Sequence, residues 1–199
     1  MEDGITREKY RVAHWDNIKF TMITLMVIGH FTDSVIQYSD VCKSIFLFIY
    51  AYHMPVLLFI SGLFYKRTKY VEKTLYYISG GFAIKIFLSI IWRITSSTTS
   101  FFLLGDSELP WFFFVLAIYQ ILMYLLRDVN KRYLFVATVI LACFVGYDES
   151  IGDFLYLSRI IVFFPFYLLG NIITQEKVNQ TIKRFYRILL PCAVLIIVS

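Results

Sequence analysis

The sequence predicts an all-α protein that crosses a membrane several times, and three observations support this fold class. Hydrophobic residues make up 59% of the 199 residues and charged residues only 17%, whereas about a quarter of an ordinary soluble domain is charged. The apolar residues come in blocks of about 18 to 20, the length that an α-helix needs to cross the hydrocarbon core of a bilayer. Lys and Arg concentrate at the ends of these blocks, as the positive-inside rule requires.

The predicted architecture is a multi-pass transmembrane helical bundle with about six complete helices and a truncated seventh. Asp16 or Asn17 is the expected N-cap of the first helix, and Pro110 suits the first turn of the fourth. We expect residues 1–17 to be a cytoplasmic N-terminal segment and residues 18–199 to form the transmembrane domain. The expected helices are 18–36, 44–64, 75–94, 111–126, 133–146, 157–174 and a seventh that begins near 187 and is cut off at 199.

The positions of the basic residues predict the orientation. When the segments alternate across a bilayer, most of the 19 Lys and Arg residues fall on the side of the N-terminus, which predicts a cytoplasmic N-terminus in the plasma membrane. Charges placed in this way explain the net charge of +5 without a nucleic-acid partner. The three cysteines are scattered and show no metal-ligand spacing, so no metal site is expected.

Two histidines occupy the interiors of the first two apolar segments. With a rise of about 1.5 Å per residue, His30 lies roughly 18 Å from the inner boundary and His53 roughly 13 Å from the outer one. These levels nearly coincide in a core of about 30 Å, so the two imidazoles could face one cavity. Pro55 should kink or break the second helix beside His53. A packed polar histidine next to an ordinary kink is the alternative for His53.

Further polar residues lie at or within the membrane segments. Lys19 and His30 project within about 20° of each other on one helical face, so Lys19 either holds a phosphate of a substrate or anchors the helix at the interface. Lys85, inside the third helix, could bind a phosphate or an oxyanion, or form a structural pair. Near the outer boundary, Arg93 and Arg159 either contact an acceptor or anchor the helices. Trp111 is expected to face lipid or the interface.

Four stretches resemble the membrane acyltransferase family 3, and within it the fucose 4-O-acetylase-like acetyltransferases. The first is DNIKFTMITLMVIGH, which contains a basic residue and a histidine as Lys19 and His30, and the second is HMPVLLFISGLF at 53–64. PWFFFVLAIYQ at 110–120 and LSRIIVFFPFYLLG at 157–170 follow in the expected order. Members have about ten membrane helices, so the resemblance implies that the chain covers only the N-terminal part of such a protein.

The resemblance implies an O-acyltransferase that moves an acetyl group from cytoplasmic acetyl-CoA, its donor substrate, to a hydroxyl of a cell-envelope or exopolysaccharide sugar. No bound cofactor is implied. His30 and His53 would be catalytic. The substrate-binding candidates are Lys19, Asp16, Asn17, Lys85, Arg93, Arg159 and Ser61, although Ser61 could instead allow close helix packing. A proton-coupled or solute transporter and a non-catalytic remnant of the family are the alternatives.

An alcohol that attacks a thioester needs a base to take its proton, and a neutral imidazole suits this task. The sequence favours His30 as the base and His53 as the group that polarises the thioester carbonyl or positions the hydroxyl, and it leaves the reverse assignment open. No serine or cysteine lies in a recognisable nucleophile motif. Direct transfer is therefore favoured over an acyl-enzyme.

Overall fold

The computed structural model describes residues 2–33, 35–95, 110–147 and 157–184. This part of the chain is helical and contains no strand, which confirms the all-α class. A 3-10 turn at Arg67–Lys69 precedes the third helix. The helices are α1 (Glu2–Asp33), α2 (Asp40–Leu63), α3 (Tyr70–Thr95), α4 (Trp111–Leu125), α5 (Lys131–Tyr147), α6 (Leu157–Ile172) and α7 (Gln175–Arg184).

The start of the first helix differs from the prediction. α1 begins at Glu2, so it runs through the expected boundary at residue 17, and neither Asp16 nor Asn17 is an N-cap. Residues 2–17 contain no proline, so the backbone has no residue that would end the helix there. The predicted bounds of the next five helices agree with the structure to within a few residues. The expected seventh segment, 187–199, lies outside the described residues.

α2 is unbroken although Pro55 lies inside it. Ser39 caps its N-terminus, because the Ser39 side chain accepts a hydrogen bond from the Cys42 amide at 3.4 Å. The predicted break next to His53 is therefore not observed. Membrane helices tolerate proline when neighbouring groups satisfy the freed carbonyl.

Contacts between the helices show that their directions alternate. Gly29 of α1 lies against Ile49 of α2, whereas the Trp15 ring, earlier in α1, contacts Phe64 at the end of α2. The α3–α4 and α5–α6 pairs show the same antiparallel register. α2, α4 and α6 therefore run in one direction, and α1, α3 and α5 run in the other.

α6 occupies the centre of the bundle. It packs against α2, α5 and α4, while α1 packs on the outer side of α2 and α3 on that of α4. α2 and α6 approach most closely at two glycines: a Cβ at Gly62 would overlap the Tyr167 carbonyl oxygen, and one at Gly170 would overlap that of Phe59. Small residues let membrane helices pack backbone against backbone in this way. Gly62 therefore lies at a close contact between the two helix backbones.

By length and hydropathy, two helical stretches qualify as membrane spans, 40–63 and 67–91. A third qualifies if α6 and α7, which are bent by 93° at their junction, count as one span. α4 is apolar but shorter, with 15 residues. The described residues thus support a membrane protein with fewer unambiguous spans than the six that the sequence predicts.

Cationic side chains gather at one end of the bundle, which we call the basic end. The α2–α3 connection contributes Lys66, Arg67 and Lys69, the α4–α5 connection contributes Arg127, and Lys131 is the first residue of α5. Contacts with neighbouring side chains hold two of these cations in place. The Lys131 Nζ donates to Asn171 Oδ1 at 2.6 Å, and the Arg127 guanidinium lies 4.9 Å from the centre of the Tyr124 ring.

Candidate active site

His53 is the most buried of the three histidines whose side chains the structure describes, with 3% of its surface exposed. Its Nδ1 lies 2.7 Å from the Ile49 carbonyl oxygen, one turn earlier in α2. A carbonyl oxygen can only accept, so Nδ1 carries the proton and Nε2 presents its lone pair. The Tyr50 ring lies edge-on to the imidazole at 5.4 Å between centroids. His53 thus has a fixed tautomer and a fixed orientation.

His30 lies across the α1–α2 contact from His53. The preceding residue, Gly29, sits against Ile49: a Cβ there would lie 3.3 Å from the Ile49 Cγ2. His30 is therefore about one helical turn from the level of His53. His30 has an exposed side chain, unlike His53. Neither histidine is among the described residues that line the cavities of about 410 and 240 Å³.

Lys19 lies at the basic end, on the side of α1 that faces α2. Its Nζ is 4.8 Å from the centre of the Phe64 ring and 3.7 Å from an oxygen of Asp16. Asp16 and Asn17 are both exposed. About two-fifths of the Lys19 side chain is exposed, so the ammonium can reach a phosphate from solution.

The remaining polar candidates are spread over the bundle. Ser61 is half-buried, and its hydroxyl donates to the Leu57 carbonyl at 2.8 Å, within its own helix. Lys85 is buried, with 8% exposed, on α3, which packs on α4 rather than against the helix pair that carries the histidines. Arg93 is exposed in the last turn of α3. The structure therefore does not bring Lys85 or Arg93 next to His53.

A cavity of about 240 Å³ lies beside His53, between α2 and the N-terminal ends of α4 and α6. We call it the central cavity, and its lining contains Tyr50, Met54, Trp111, Ser158, Arg159, Val162 and Phe163. Tyr50 and Met54 are near His53 in α2, but His53 itself is not among the described lining residues.

Trp111 is buried, with 9% exposed, so the expectation that it faces lipid is wrong. The Arg159 guanidinium lies 4.8 Å from the centre of the Trp111 ring, and the Phe163 ring stacks on Trp111 at an interplanar angle of 22°. The sequence alone does not distinguish a tryptophan that faces lipid from one that packs in the protein core, because both environments are apolar. Only the packing of α4 on α6 distinguishes them.

Two structural features near the candidate residues are absent from the sequence-based set. Tyr50 contacts His53 and lines the central cavity, and its spacing of three residues from His53 was the available signal. Gln120 and Tyr167 form a buried polar pair: the Gln120 Nε2 donates to the Tyr167 hydroxyl at 2.9 Å. The Gln120 Oε1 is buried without a hydrogen-bond partner among the described residues.

The described residues contain no group of three or more His, Cys, Asp or Glu that could hold a metal ion. A family model described as an acyltransferase domain matches residues 12–199 of the chain. No curated protein and no solved structure matches it.

Proposed function

Because the chain belongs to the membrane acyltransferase family 3, we propose that it is an O-acetyltransferase of the plasma membrane. Its donor is acetyl-CoA from the cytoplasm, and its acceptor is a hydroxyl of a cell-envelope or exopolysaccharide sugar. The motifs that resemble the fucose 4-O-acetylase-like branch support this choice of acceptor. The basic end faces the cytoplasm in this proposal, as the positive-inside rule favours.

The hydrogen bond between His53 Nδ1 and the Ile49 carbonyl is the observation that carries the proposal. A ring nitrogen held in this way leaves the other as a proton acceptor, which is the form that a general base needs. This favours the assignment that the sequence left as the second choice. His53 takes the proton, and His30 polarises the thioester carbonyl or positions the hydroxyl.

The reaction is a direct transfer. The acceptor oxygen attacks the carbonyl carbon of the thioester while the His53 Nε2 takes the hydroxyl proton. The C–S bond then breaks, and the proton passes to the departing thiolate of CoA, so the imidazole returns to its neutral form. A His30 ring that donates a hydrogen bond to the carbonyl oxygen would stabilise the negative charge that develops there.

The phosphates of acetyl-CoA would bind at the basic end. Lys19 is the candidate nearest to the histidine pair on this side, because it lies along the same face of α1 and contacts the end of α2. An ammonium binds phosphate as a compact point charge. The acetyl group would then have to reach His53 from the Lys19 level, about 16 Å away along the helix axis.

The test supplies acetyl-CoA with a labelled acetyl group to inside-out vesicles that contain the full chain. His53→Ala and His30→Ala are each expected to lower label transfer to glycan by about 100-fold or more, since a positioned acid or base contributes on the order of 10²–10⁴ to a rate. His14→Ala is the matched control, because His14 is exposed in α1 and far from the pair.

Transfer that persists unchanged in both His30→Ala and His53→Ala would remove the catalytic assignment. Membrane insertion of each variant is verified by protease protection of the same vesicles. Loss of transfer with normal insertion separates a chemical defect from a folding defect.

A further inference from the structure

A cavity of about 410 Å³ lies between α7, the α6–α7 junction and α2. We call it the interfacial cavity, and its described lining consists of Phe59, Ile173, Lys177, Val178, Thr181 and Ile182. Four of these side chains are hydrocarbon, and Lys177 is the one charged group among them. The volume lies within the range of roughly 300–1,000 Å³ that is usual for ligand sites. The lining therefore suits a ligand that is mostly apolar and carries one negative group.

α7 leaves the bundle at the basic end. α6 ends at Ile172, next to the Asn171 side chain that accepts a hydrogen bond from the Lys131 Nζ. α7 then turns by 93° from the direction of α6. α6 runs parallel to α2, which is long and apolar enough to span a membrane. A helix at a right angle to a spanning helix follows the membrane surface, where amphipathic helices lie.

The side chains of α7 are divided between two faces. Val178 and Ile182, four residues apart and therefore on one face, are half-buried and line the interfacial cavity. The helix has one acid, Glu176, so its described part carries a net positive charge. Cations on the polar face are typical of helices that bind anionic membrane surfaces. The exposed cations of α7 are Lys177, Lys183 and Arg184.

Lys177 connects the charged face of α7 to the interfacial cavity. It is exposed and also belongs to the lining, so its side chain lies at the rim of an otherwise largely apolar space. The Thr181 hydroxyl donates its proton to the Lys177 carbonyl at 3.0 Å. The Lys177 ammonium is therefore the group of the lining that suits a phosphate, which an ammonium binds as a compact point charge.

We propose that the interfacial cavity binds one anionic phospholipid. The lipid phosphate lies at Lys177, and one acyl chain packs along the apolar lining between Val178 and Phe59. The bound lipid holds α7 against α2 at the basic end. It is neither the donor nor the acceptor of the acyl transfer, so the inference requires only that the bundle lies in a membrane.

Native mass spectrometry of the full chain in a neutral detergent counts the lipids that remain bound. Phosphatidylglycerol and phosphatidylcholine with identical acyl chains are the two probes, and glycerol phosphate supplies the head group without the chains. One phosphatidylglycerol should be retained at about a 10-fold lower concentration than phosphatidylcholine, because cations attract a head group with net negative charge. Glycerol phosphate at the same concentration should not displace it, because it has no hydrocarbon to bury.

Lys177→Gln should reduce the preference for phosphatidylglycerol to within about 3-fold, because it removes the cation of the lining. Lys66→Gln is the matched control: Lys66 is an exposed cation at the same end and is not among the described lining residues. Its loss should leave the preference unchanged. Val178→Trp fills the cavity and should lower the retention of both lipids alike.

Equal retention of the two lipids by the wild-type chain would overturn the inference, and so would displacement of bound lipid by glycerol phosphate. Equal losses in Lys177→Gln and Lys66→Gln would assign the preference to the basic end as a whole and would also overturn it. Displacement of the lipid by CoA at an equal concentration would assign the cavity to the acyl donor instead. The wild-type comparisons decide the matter even if a variant fails to fold, and none depends on acetyl transfer.

Discussion

At the scale of single residues, the bundle contains buried polar side chains that its overall apolar composition does not reveal. Tyr119 and Tyr167 are both fully buried, and the Tyr119 hydroxyl donates to the Ile160 carbonyl at 2.8 Å. The Tyr167 hydroxyl accepts a hydrogen bond from the Gln120 side-chain amide. These bonds join α4 to α6 at sites where lipid and water are both excluded, so each lost partner leaves a desolvated group behind.

Tyr167→Phe tests the value of this pair. It removes the acceptor of the Gln120 Nε2, and the unsatisfied buried amide should lower stability by about 1–3 kcal/mol. The temperature of half-unfolding in detergent should fall accordingly. Tyr133→Phe, at a tyrosine that is 77% exposed, should have no measurable effect.

Adding Gln120→Met to Tyr167→Phe should restore part of the lost stability, because replacing both partners by apolar groups can be nearly neutral. A single Tyr167→Phe variant as stable as the wild type would contradict this account.

At the scale of helices, the contact between α2 and α6 positions both His53 and the central cavity. These two helices run parallel: Gly62 meets Tyr167 and Gly170 meets Phe59 near the basic end, and Tyr50 and Met54 meet Arg159 at the cavity. Near the basic end, the Asn171 Nδ2 donates to the Gly62 carbonyl at 3.5 Å. A shift of one helix along the other would separate the residues that line the central cavity.

Gly62→Ala should therefore be strongly destabilising. The added Cβ overlaps the Tyr167 backbone, which cannot rotate away as a side chain can, so the helices must separate. Overpacking of this kind costs about 1–3 kcal/mol or more. The measurement is the temperature at which the protein loses its monodisperse peak in size-exclusion chromatography.

Gly146→Ala is the matched substitution, since among the described residues a Cβ there would meet only the Val162 Cγ2, at 4.0 Å. It should be neutral or slightly stabilising, because alanine exceeds glycine in helix propensity by about 1 kcal/mol. If the Gly62→Ala and Gly146→Ala proteins lost their monodisperse peak at the same temperature, the α2–α6 contact would be looser than described.

At the scale of the whole molecule, the alternating helix directions place the cationic connections at one end. The α1–α2 turn lies at the opposite end, where Tyr38 is 83% exposed. Val129, in the α4–α5 connection, lies at the basic end and is exposed. If the basic end faces the cytoplasm, these two positions lie on opposite sides of the membrane.

Single cysteines test this orientation in a chain whose three native cysteines have been replaced by serine. A membrane-impermeant maleimide should label Tyr38→Cys in intact cells and Val129→Cys only after the cells are opened. The opposite pattern would reverse the proposed orientation, and with it the side from which acetyl-CoA approaches.

The sequence by itself determined the helical class and the bounds of five helices. Hydropathy and helix rise fix these features, because each depends only on position along the chain. Only the tertiary structure decided which faces are buried. It placed Trp111 in the core, Lys85 on a helix that does not pack against the pair carrying the histidines, and Arg159 in the lining of the central cavity.

The physical reason is that the helices are surrounded by lipid, which is as apolar as the protein interior. A lipid-facing side chain and a packed one are equally apolar in a bilayer, so hydrophobic periodicity does not identify the neighbours of a membrane helix. The central position of α6, which packs against α2, α4 and α5, follows from close contacts at Gly62 and Gly170 that composition does not reveal.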